Sequence, residues 1–298
     1  MCMVSVIIPT YKHRDFILTT LSSVFAQTFS DYEVIVVNDG SPDDTAEVLR
    51  PLAEAGRIRH IKQENQGQSA ARNQGLAVAR GEFIAYLDDD DVWPPDKLAW
   101  QVARLKAEPE AVLLYGPMKT LGVEADQTYP GPDAPSGQVY DAFLKMNYIV
   151  SPGQTLIRRA ALQIIGGFDE SLWGADDWDL YIRLASKGKF VFADKLALFY
   201  RRHDGNASKN TRRLYLNSCR LQYKHLGVIP KPSDIVPWLG CRRFIIKYIS
   251  NLYLCQAHQL MLEGKKKEAR RQWLELIRMN PATLRRPSHL RQIFSCFK

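Results

Sequence analysis

The sequence contains no long hydrophobic run and no closely spaced pair of cysteines. No stretch of about 18 consecutive apolar residues occurs, and a helix that crosses a bilayer needs about 20. No basic segment precedes the apolar run of residues 4–8, so we expect no signal peptide. The five cysteines are scattered without CxxC spacing, which argues against a disulfide framework and a cysteine zinc site. These absences predict a cytoplasmic protein.

Acidic residues are scarce in the C-terminal third of the chain. Residues 209–298 carry 19 Lys and Arg against 4 Asp and Glu, whereas residues 1–150 carry 13 against 21. A basic segment of this kind can bind anionic lipid headgroups or nucleic acid through its attraction to phosphates, or it can be a solvated helical surface. No RNA- or DNA-binding motif accompanies it, so nucleic acid is not an expected partner. Peripheral contact with an anionic membrane, at its inner face, is therefore the functional alternative to a solvated surface.

Short apolar runs alternate with amphipathic helical patterns over the first 120 residues. This alternation predicts βαβ units on a mostly parallel sheet that is covered by helices on both faces. The predicted strands are residues 4–9, 34–37, 58–61, 83–87 and 111–115. The predicted helices are residues 15–29, 42–55, 69–80 and 95–106. In the second of these helices we expect Ser41 as the cap and Pro42 as the first helical residue.

The rest of the chain changes from mixed to helical patterns. We expect a long connection with one helix over residues 120–150, and then the segments named here: a strand at 155–158, helices at 160–165 and 177–186, and one or two strands within 190–200. From about residue 209 onward, helices dominate. Six positions of the tail match a single tetratricopeptide repeat: Tyr253, Ala257, Gly264, Ala269, Trp273 and Pro281. They predict a helical hairpin packed on the main domain, and a repeat-like docking surface is the alternative.

Acidic residues cluster where predicted strands end, which is where open α/β sheets bind their ligands. Four of them, residues 88–91, directly follow the fourth strand. Carboxylates so close together favour a cation between them, and Mg²⁺ or Mn²⁺ commonly uses one or two carboxylates plus substrate phosphates. An acidic turn that leads into the next helix is the alternative. Asp39 follows the second strand, where an acid either binds a nucleoside or stabilises the turn.

A second group of acids follows the glycine turn at Gly166 and Gly167. Asp176, Asp177 and Asp179 stand at the start of a predicted helix, around Trp178. Helix capping accounts for one or two of these carboxylates. A carboxylate among apolar and aromatic side chains can acquire a pKa that suits a general base. The group is therefore a candidate for the proton acceptor of a catalysed reaction.

Taken in order, these motifs resemble those of family 2 glycosyltransferases over residues 3–208. The segments that carry the resemblance are residues 4–11, 38–45, 65–67, 71–75, 87–93, 166–170 and 176–180. The resemblance implies a GT-A fold, which is a Rossmann-like, mostly parallel α/β sheet flanked by helices, here with a helical C-terminal extension. It also implies a transferase domain over residues 1–208, with a nucleotide-binding half at 1–116 and an acceptor half at 117–208. A basic helical region at 209–298 completes the chain.

The resemblance implies roles for individual residues. The residues expected to bind the donor nucleotide are Pro9, Thr10, Tyr11, Asp39, Arg72, Asp88 and Asp89. Asp90 is expected to reach a divalent metal, Mn²⁺ or Mg²⁺, with His203 as a further ligand. Asp177 matches the catalytic base. The residues expected on the acceptor side are Gly166, Gly167, Asp176 and Trp178, and Asp176 departs from the glutamate that is usual at its position.

The implied function is inverting transfer of a sugar from a nucleotide-diphosphate donor, with a UDP-sugar as the expected donor. The expected acceptor is a carbohydrate or a lipid-linked sugar, in the synthesis of cell-surface polysaccharide or glycolipid. A sugar-phosphate nucleotidyltransferase is one alternative, although residues 10–13 lack the glycine-rich phosphate loop of such enzymes. A non-catalytic nucleotide-sugar-binding or scaffold protein is another, although loss of Asp39, Asp90 or Asp177 would then be expected.

Overall fold

The computed structural model describes residues 2–121, 128–203 and 210–285. The chain forms two compact units. The segments of the first unit are Met1–Phe143, Asn147–Ser171 and Asp176–Arg202. The segments of the second unit are Leu144–Met146, Leu172–Ala175 and His203–Lys298. The predicted boundary at residue 208 and the two predicted halves of the transferase domain stay predictions.

The strands and helices alternate through most of the chain. The strands are β1 (Val4–Thr10), β2 (Tyr32–Asp39), β3 (Arg59–Gln63), β4 (Phe83–Tyr86), β5 (Ala111–Tyr115), β6 (Met118–Thr120), β7 (Thr155–Arg158), β8 (Lys189–Phe192) and β9 (Leu198–Tyr200). The helices are α1 (Arg14–Phe25), α2 (Thr45–Glu54), α3 (Gln68–Val78), α4 (Lys97–Ala107), α5 (Tyr140–Lys145), α6 (Arg159–Ile165), α7 (Asp176–Ala185), α8 (Thr211–Leu226), α9 (Ile235–Leu262) and α10 (Lys266–Met279).

A seven-stranded sheet organises the first unit, in the order β3-β2-β1-β4-β7-β5-β8. β1 runs parallel to β2 and β4, whereas β7 is antiparallel to both of its neighbours. Thr10 at the end of β1 pairs with Asn38 near the end of β2, and Ile7 pairs with Tyr86, the last residue of β4. Because these strands end at the same edge, the residues that follow them meet there. The predicted mostly parallel sheet is confirmed.

The core of the first unit is built on both faces of β1, and all seven residues of this strand are buried. Val6 and Ile8 belong to the main apolar cluster, together with Leu21 of α1. On α3, Gly75 lies so close to β1 that an added Cβ would overlap Ile7 Cγ2. Complete burial of one such aliphatic side chain contributes about 1.5–3 kcal/mol, so burial on both faces favours an interior position for β1, between β2 and β4.

The predicted start of the second helix was wrong. α2 begins at Thr45 rather than at Pro42, and Ser41 does not cap it. The Ser41 hydroxyl accepts a hydrogen bond from Lys12 N (3.1 Å), and Ser41 N donates to Asn38 Oδ1 (2.9 Å). Asp43 Oδ1 then accepts from Thr45 N (3.2 Å). These contacts hold the chain in a turn until Thr45, because they use the polar groups that a cap would need.

The second unit is helical over its described residues. The Asn210 side chain accepts from Arg213 N (3.3 Å) at the start of α8. α9 and α10 join through a turn in which Gly264 has a φ of 73°, and they form the hairpin that the tail pattern predicts. The residues of that pattern which are buried in the hairpin are Tyr253, Ala257, Ala269 and Trp273. Throughout the part of the chain that the structure describes, no helix is long and apolar enough to cross a membrane.

Candidate active site

The segment that follows β1 is attached to the acids that follow β4. Asp89 Oδ2 accepts from Tyr11 N (3.2 Å), and Asp89 Oδ1 lies 2.7 Å from His13 Nδ1. The hydrogen bond to Asp89 raises the pKa of His13, although burial opposes it. Asp89 therefore positions the loop that carries the predicted donor residue Tyr11. His13 was missed by the sequence analysis, and only its position two residues after Tyr11 could have indicated it.

Thr10 offers a buried hydroxyl beside this loop. Thr10 is 2% exposed, and its Oγ1 has no hydrogen-bond partner among the described residues. A buried hydroxyl without a partner costs about 1–3 kcal/mol, which a ligand that bonds to it would recover. Pro9 is buried at the preceding position and Tyr11 is 38% exposed at the following one. The end of β1 thus presents one unsatisfied polar atom and one exposed ring.

Asp39, at the end of β2, organises the turn that leads into α3. Its Oδ1 accepts from Gln63 Nε2 (2.7 Å) and Gln66 N (2.9 Å), and its Oδ2 accepts from Gly67 N (2.8 Å). A carboxylate has about four acceptor positions, so these bonds leave about one for a ligand. Asp39 therefore stabilises the connection between β3 and α3 rather than its own turn, and its predicted contact with the nucleoside stays a prediction.

Arg72 connects the two groups of acids. It is 2% exposed; its Nη2 lies 2.5 Å from Asp88 Oδ1, and its Nη1 lies 3.3 Å from Asp176 Oδ2. Burial alone would lower the pKa of Arg72, but the charges of Asp88 and Asp176 raise it above its ordinary value. The guanidinium also lies 5.1 Å from the ring centre of Phe168. The structure therefore places Arg72 between two carboxylates, and its predicted contact with the nucleoside stays a prediction.

Ser151 and Arg201 bind the acids that follow β4, and the sequence analysis predicted neither of them as a site residue. Ser151 Oγ lies 3.4 Å from Asp88 Oδ2 and 3.3 Å from Asp91 Oδ2. Arg201 donates from its backbone N to Asp91 Oδ1 (2.9 Å) and from Nε to the Asp90 carbonyl (2.8 Å). Burial, and then the charges of Asp90 and Asp88, raise the pKa of Asp91 well above its ordinary value. Ser151 therefore contacts the carboxylates of both Asp88 and Asp91, and Arg201 fixes Asp91 and the backbone of Asp90.

Asp176 and Asp177 begin α7 and have different surroundings. Asp176 is 1% exposed and accepts from Ser69 Oγ (2.7 Å) as well as from Arg72. Asp177 is partly exposed, and its Oδ1 accepts from Trp178 N (2.6 Å). Burial, and then the charge of Asp176, raise the pKa of Asp177 well above its ordinary value, and Arg72 opposes this shift. A partly accessible carboxylate with a raised pKa is suited to accept a proton near neutral pH.

The predicted acceptor-side residues Gly166, Gly167 and Trp178 lie in and after the turn that follows α6, and their acceptor-side role stays a prediction. Gly166 ends α6 in the left-handed conformation (φ 80°), and Gly167 follows with φ 77°. A Cβ on Gly167 would lie 2.5 Å from Asn73 Oδ1, and that oxygen accepts from Phe168 N (2.8 Å). Gly167 therefore has no room for a side chain, and the left-handed conformation favours glycine at Gly166. They lead directly into Phe168, whose ring lies against the guanidinium of Arg72. Trp178 is buried and donates to the Phe143 carbonyl (2.7 Å).

The donor set after β4 suits a hard divalent ion. It consists of carboxylate oxygens, and Asp90 is buried at the ligand-binding edge of the sheet (7% exposed). Within the described ranges, no group of three His, Cys, Asp or Glu side chains makes a complete metal site. Mg²⁺ and Mn²⁺ sites that are completed by substrate phosphates need only one or two carboxylates, so the residues fit such an ion. His203 belongs to the second unit, and its predicted metal contact stays a prediction.

Sequence comparison identifies known proteins that are similar to this chain. Residues 5–165 match the model of the family described as Glycosyl transferase family 2. The chondroitin synthase of Escherichia coli is 26% identical over 258 residues, which are 86% of this chain and 36% of that protein. A second Escherichia coli protein, UDP-Glc:alpha-D-GlcNAc-diphosphoundecaprenol beta-1,3-glucosyltransferase WfaP, is 30% identical over 211 residues, which are 70% of this chain and 80% of that protein. The chain spans about a third of the length of several curated relatives.

Solved structures share the fold. The mannosyltransferase PcManGT from Pyrobaculum calidifontis, in complex with GDP-Man and Mn²⁺, superposes with a TM-score of 0.62 at 20% identity. The match covers 99% of this chain and 84% of that one. TarS 1-349 of S. aureus, in complex with UDP-GlcNAc, gives a TM-score of 0.60 at 18% identity, and the match covers 95% and 92% of the two chains. The predicted GT-A arrangement with C-terminal helices is confirmed.

Proposed function

The chain belongs to glycosyl transferase family 2, and we propose that it transfers a sugar from a UDP-sugar to an acceptor hydroxyl with inversion at the anomeric carbon. One observation carries the proposal. The buried guanidinium of Arg72 contacts Asp88 at the end of β4 and Asp176 beside Asp177. Acids suited to the diphosphate end of a donor and an acid suited to proton removal are thereby gathered around one cation.

The donor nucleoside is proposed to bind where β1 and β2 end. The buried Thr10 hydroxyl without a partner supports this position, as does the remaining acceptor capacity of Asp39. Two proteins that are similar to this chain support a UDP-sugar. The name of the glucosyltransferase WfaP includes UDP-Glc, and the TarS structure is a complex with UDP-GlcNAc. The structurally similar mannosyltransferase is bound to GDP-Man, so the uracil base is the part of the donor that most needs a test.

The diphosphate of the donor is proposed to lie beside the acids after β4. Asp90 would hold Mn²⁺ or Mg²⁺ there. A divalent ion held there would neutralise the negative charge of the leaving diphosphate. The protein itself keeps Asp88 and Asp91 oriented through Ser151, and Arg201 fixes the backbone carbonyl of Asp90.

Asp177 is proposed to accept the proton of the acceptor hydroxyl. As the acceptor oxygen forms its bond to the anomeric carbon, the bond from that carbon to the diphosphate oxygen breaks, and the proton moves to the Asp177 carboxylate. A single displacement from the opposite face inverts the configuration and needs no second nucleophilic carboxylate, unlike retaining hydrolysis. The raised pKa of Asp177, which burial and Asp176 cause, supports this role.

The acceptor is proposed to be a carbohydrate or a lipid-linked sugar. The name of the relative WfaP includes a diphosphoundecaprenol-linked acceptor, and another relative is a chondroitin synthase. Synthesis of a surface polysaccharide or glycolipid on the cytoplasmic side of a membrane fits both. The basic region 209–298 is proposed to make peripheral contact with that membrane, because it carries 19 Lys and Arg against 4 acids.

A donor screen tests the proposal. The folded protein is heated with UDP, UDP-Glc, UDP-GlcNAc, GDP and GDP-Man, each with and without Mn²⁺. A donor at about 100 times its Kd stabilises the folded state by about 2.7 kcal/mol, so the UDP-sugars should raise Tm by several degrees. Thr10→Val, which removes the unpartnered hydroxyl, should reduce this rise. A rise in Tm with GDP-Man and none with any UDP-sugar would contradict uracil as the nucleobase of the donor.

A further inference from the structure

The connection between α8 and the start of α9 exposes a cluster of large apolar side chains. Its members, called the apolar tip below, are Val228, Ile229, Ile235, Val236 and Leu239. Ile229 is 87% exposed, and Val228 and Val236 are 69% and 66% exposed. Single exposed apolar residues are common on soluble proteins, but five within twelve residues form a patch that calls for a partner.

Local contacts bring these five residues to one end of the second unit. α8 ends at Leu226, and Gly227 then turns the chain with a φ of 73°. Gln222 Nε2 in the last turns of α8 donates to the Trp238 carbonyl in the first turns of α9 (3.0 Å). The residues between them therefore form the closed end of a helix pair. Val228 and Ile229 lie in the connection itself, and the other three belong to the first turns of α9.

Basic residues continue from the apolar tip along α9. Val236, Leu239, Arg243 and Lys247 are all exposed, and their spacing of three, four and four places them in one stripe. At a rise of about 1.5 Å per residue, Arg243 lies about 10 Å and Lys247 about 16 Å along the helix from Val236. Residues 210–247 carry eight Lys and Arg against one acid, Asp234. The stripe is therefore apolar at the end of the unit and basic one to three turns away.

We propose that the apolar tip inserts into the interface of an anionic bilayer and that the basic residues behind it bind lipid phosphates. An interfacial apolar surface enters about 5–10 Å into the boundary between headgroups and acyl chains. With the start of α9 along the bilayer normal, Arg243 would then lie about 10 Å from Val236, at the level of the headgroup phosphates. A nucleic acid would offer phosphates but no layer for Ile229 and Val236, and a purely apolar protein partner would leave Arg243 and Lys247 without a function. The inference rests on the membrane contact proposed above and specifies the residues that make it.

Vesicle flotation tests the apolar tip. The full chain is mixed with vesicles of phosphatidylcholine alone or with about one-third phosphatidylglycerol, at low and high salt. Wild type should float with the anionic vesicles. The triple variant Val228→Ser, Ile229→Ser, Val236→Ser should partition at least about tenfold less at both salt concentrations, because three inserted side chains lose their apolar contact. Arg243→Gln with Lys247→Gln should lose only the salt-sensitive part of the binding.

Two control variants replace apolar residues that are similarly exposed but lie outside the apolar tip. Leu262 is 71% exposed at the other end of α9, and Ile164 is 69% exposed on α6 of the first unit. Leu262→Ser and Ile164→Ser should float like wild type. All substituted residues are exposed, so the free energy of unfolding of every variant should lie within about 0.5 kcal/mol of the wild-type value. Urea titration measures it.

Three results would overturn the inference. One is wild-type flotation of the triple variant, and another is equal flotation with neutral and anionic vesicles. The third combines two observations: light scattering shows a dimer for wild type and a monomer for the triple variant, and neither protein binds vesicles. The apolar tip would then contact a second copy of the chain. Sugar transfer to a soluble acceptor is measured separately. Vesicle binding without any transfer would refute the proposed function and leave the apolar tip supported.

Discussion

The carboxylate of Asp176 lies 3.3 Å from the guanidinium of Arg72, and both side chains are almost completely buried. Arg72 reaches Asp88 with its other terminal nitrogen, so one cation serves two acids from distant parts of the sequence. A buried charge is stable only while its partners remain, and removal of one member of such a group exposes the others to an apolar interior. The arrangement makes Arg72 necessary for stability as well as for the orientation of the acids.

Arg72→Met should therefore lower the free energy of unfolding by about 3–5 kcal/mol, because Asp176 would be left as a buried charge without its cation. Arg72→Lys should recover only part of this loss, since an ammonium cannot bind two carboxylates with the geometry of a guanidinium. Urea unfolding measures both. Arg50→Met is the control, because Arg50 and Glu47 form an exposed pair, and it should change stability by less than about 0.5 kcal/mol. Similar losses in Arg50→Met and Arg72→Met would refute the assigned role.

Asp177→Asn should abolish transfer and leave donor binding nearly unchanged. A general base contributes about 10²–10⁴-fold to rate, so kcat should fall by at least about a hundredfold, while the Kd of the donor stays within about threefold. Transfer assays and calorimetric titration of the donor measure the two quantities. The matched control is Asp194→Asn, an exposed aspartate outside the site, which should behave as wild type. Turnover near the wild-type value in Asp177→Asn would exclude this residue as the base.

The pH dependence of transfer should report the raised pKa of Asp177. The base must be ionised, so kcat/KM should fall as the pH drops through a value well above 3.8, the ordinary value for an aspartate. Burial is the larger cause of the shift and the charge of Asp176 is the second. Asp176→Asn removes that repulsion, lowers the pKa of Asp177 and should move the acidic limb to lower pH. A pH profile of the folded variant decides the direction, and a limb displaced to higher pH would contradict the assignment.

Removal of divalent metal should stop transfer. Excess chelator should abolish turnover, and Mn²⁺ should restore it. Asp90→Asn should raise the Mn²⁺ concentration needed for half-maximal rate by at least about tenfold, because a neutral amide is a weaker ligand for a hard cation. The Mn²⁺-dependent part of the Tm rise with UDP should shrink in the same variant, which separates metal binding from the chemical step. Undiminished turnover in chelator would remove the metal from the proposed function.

Lys97 should make folding stability depend on pH. It is completely buried on α4, where its Nζ donates to the Thr155 carbonyl (3.0 Å) and lies 3.9 Å from the Trp93 ring centre. Burial lowers its pKa well below the ordinary 10.5. Because the folded-state pKa lies below the unfolded-state value, stability rises between them as the pH rises, by up to about 1.4 kcal/mol per pH unit.

The comparison of wild type with Lys97→Met isolates this effect. The difference in unfolding free energy, variant minus wild type, should decrease as the pH rises toward about 10.4. Urea unfolding across that range measures it, and Lys106→Met supplies the control, since Lys106 is exposed on the same helix. A difference that is constant with pH would mean that the pKa of Lys97 is not lowered by folding and would contradict the prediction.

Hydrophobic periodicity was sufficient to predict the first five strands and the helices between them, because a period of two or of 3.6 residues is a local property of the chain. The start of α2 was not predictable in this way. Ser41, Pro42 and the acids after them have the residue types of a helix start, but Ser41 is bonded to Lys12, which precedes it by 29 residues. Cap chemistry read from one segment fails when a neighbouring loop uses the same hydroxyl.

By itself, the sequence determined where the acids stand: at the end of β2, after β4 and at the start of α7. The apolar runs of β2 and β4 place the first two groups at one edge of the sheet. Only the tertiary structure decided what each acid contacts. Asp89 binds His13, 76 residues away, and Asp91 binds the backbone of Arg201, 110 residues away. Such partners depend on how loops pack after the sheet has formed, and a carboxylate carries no local signal of which donor will reach it.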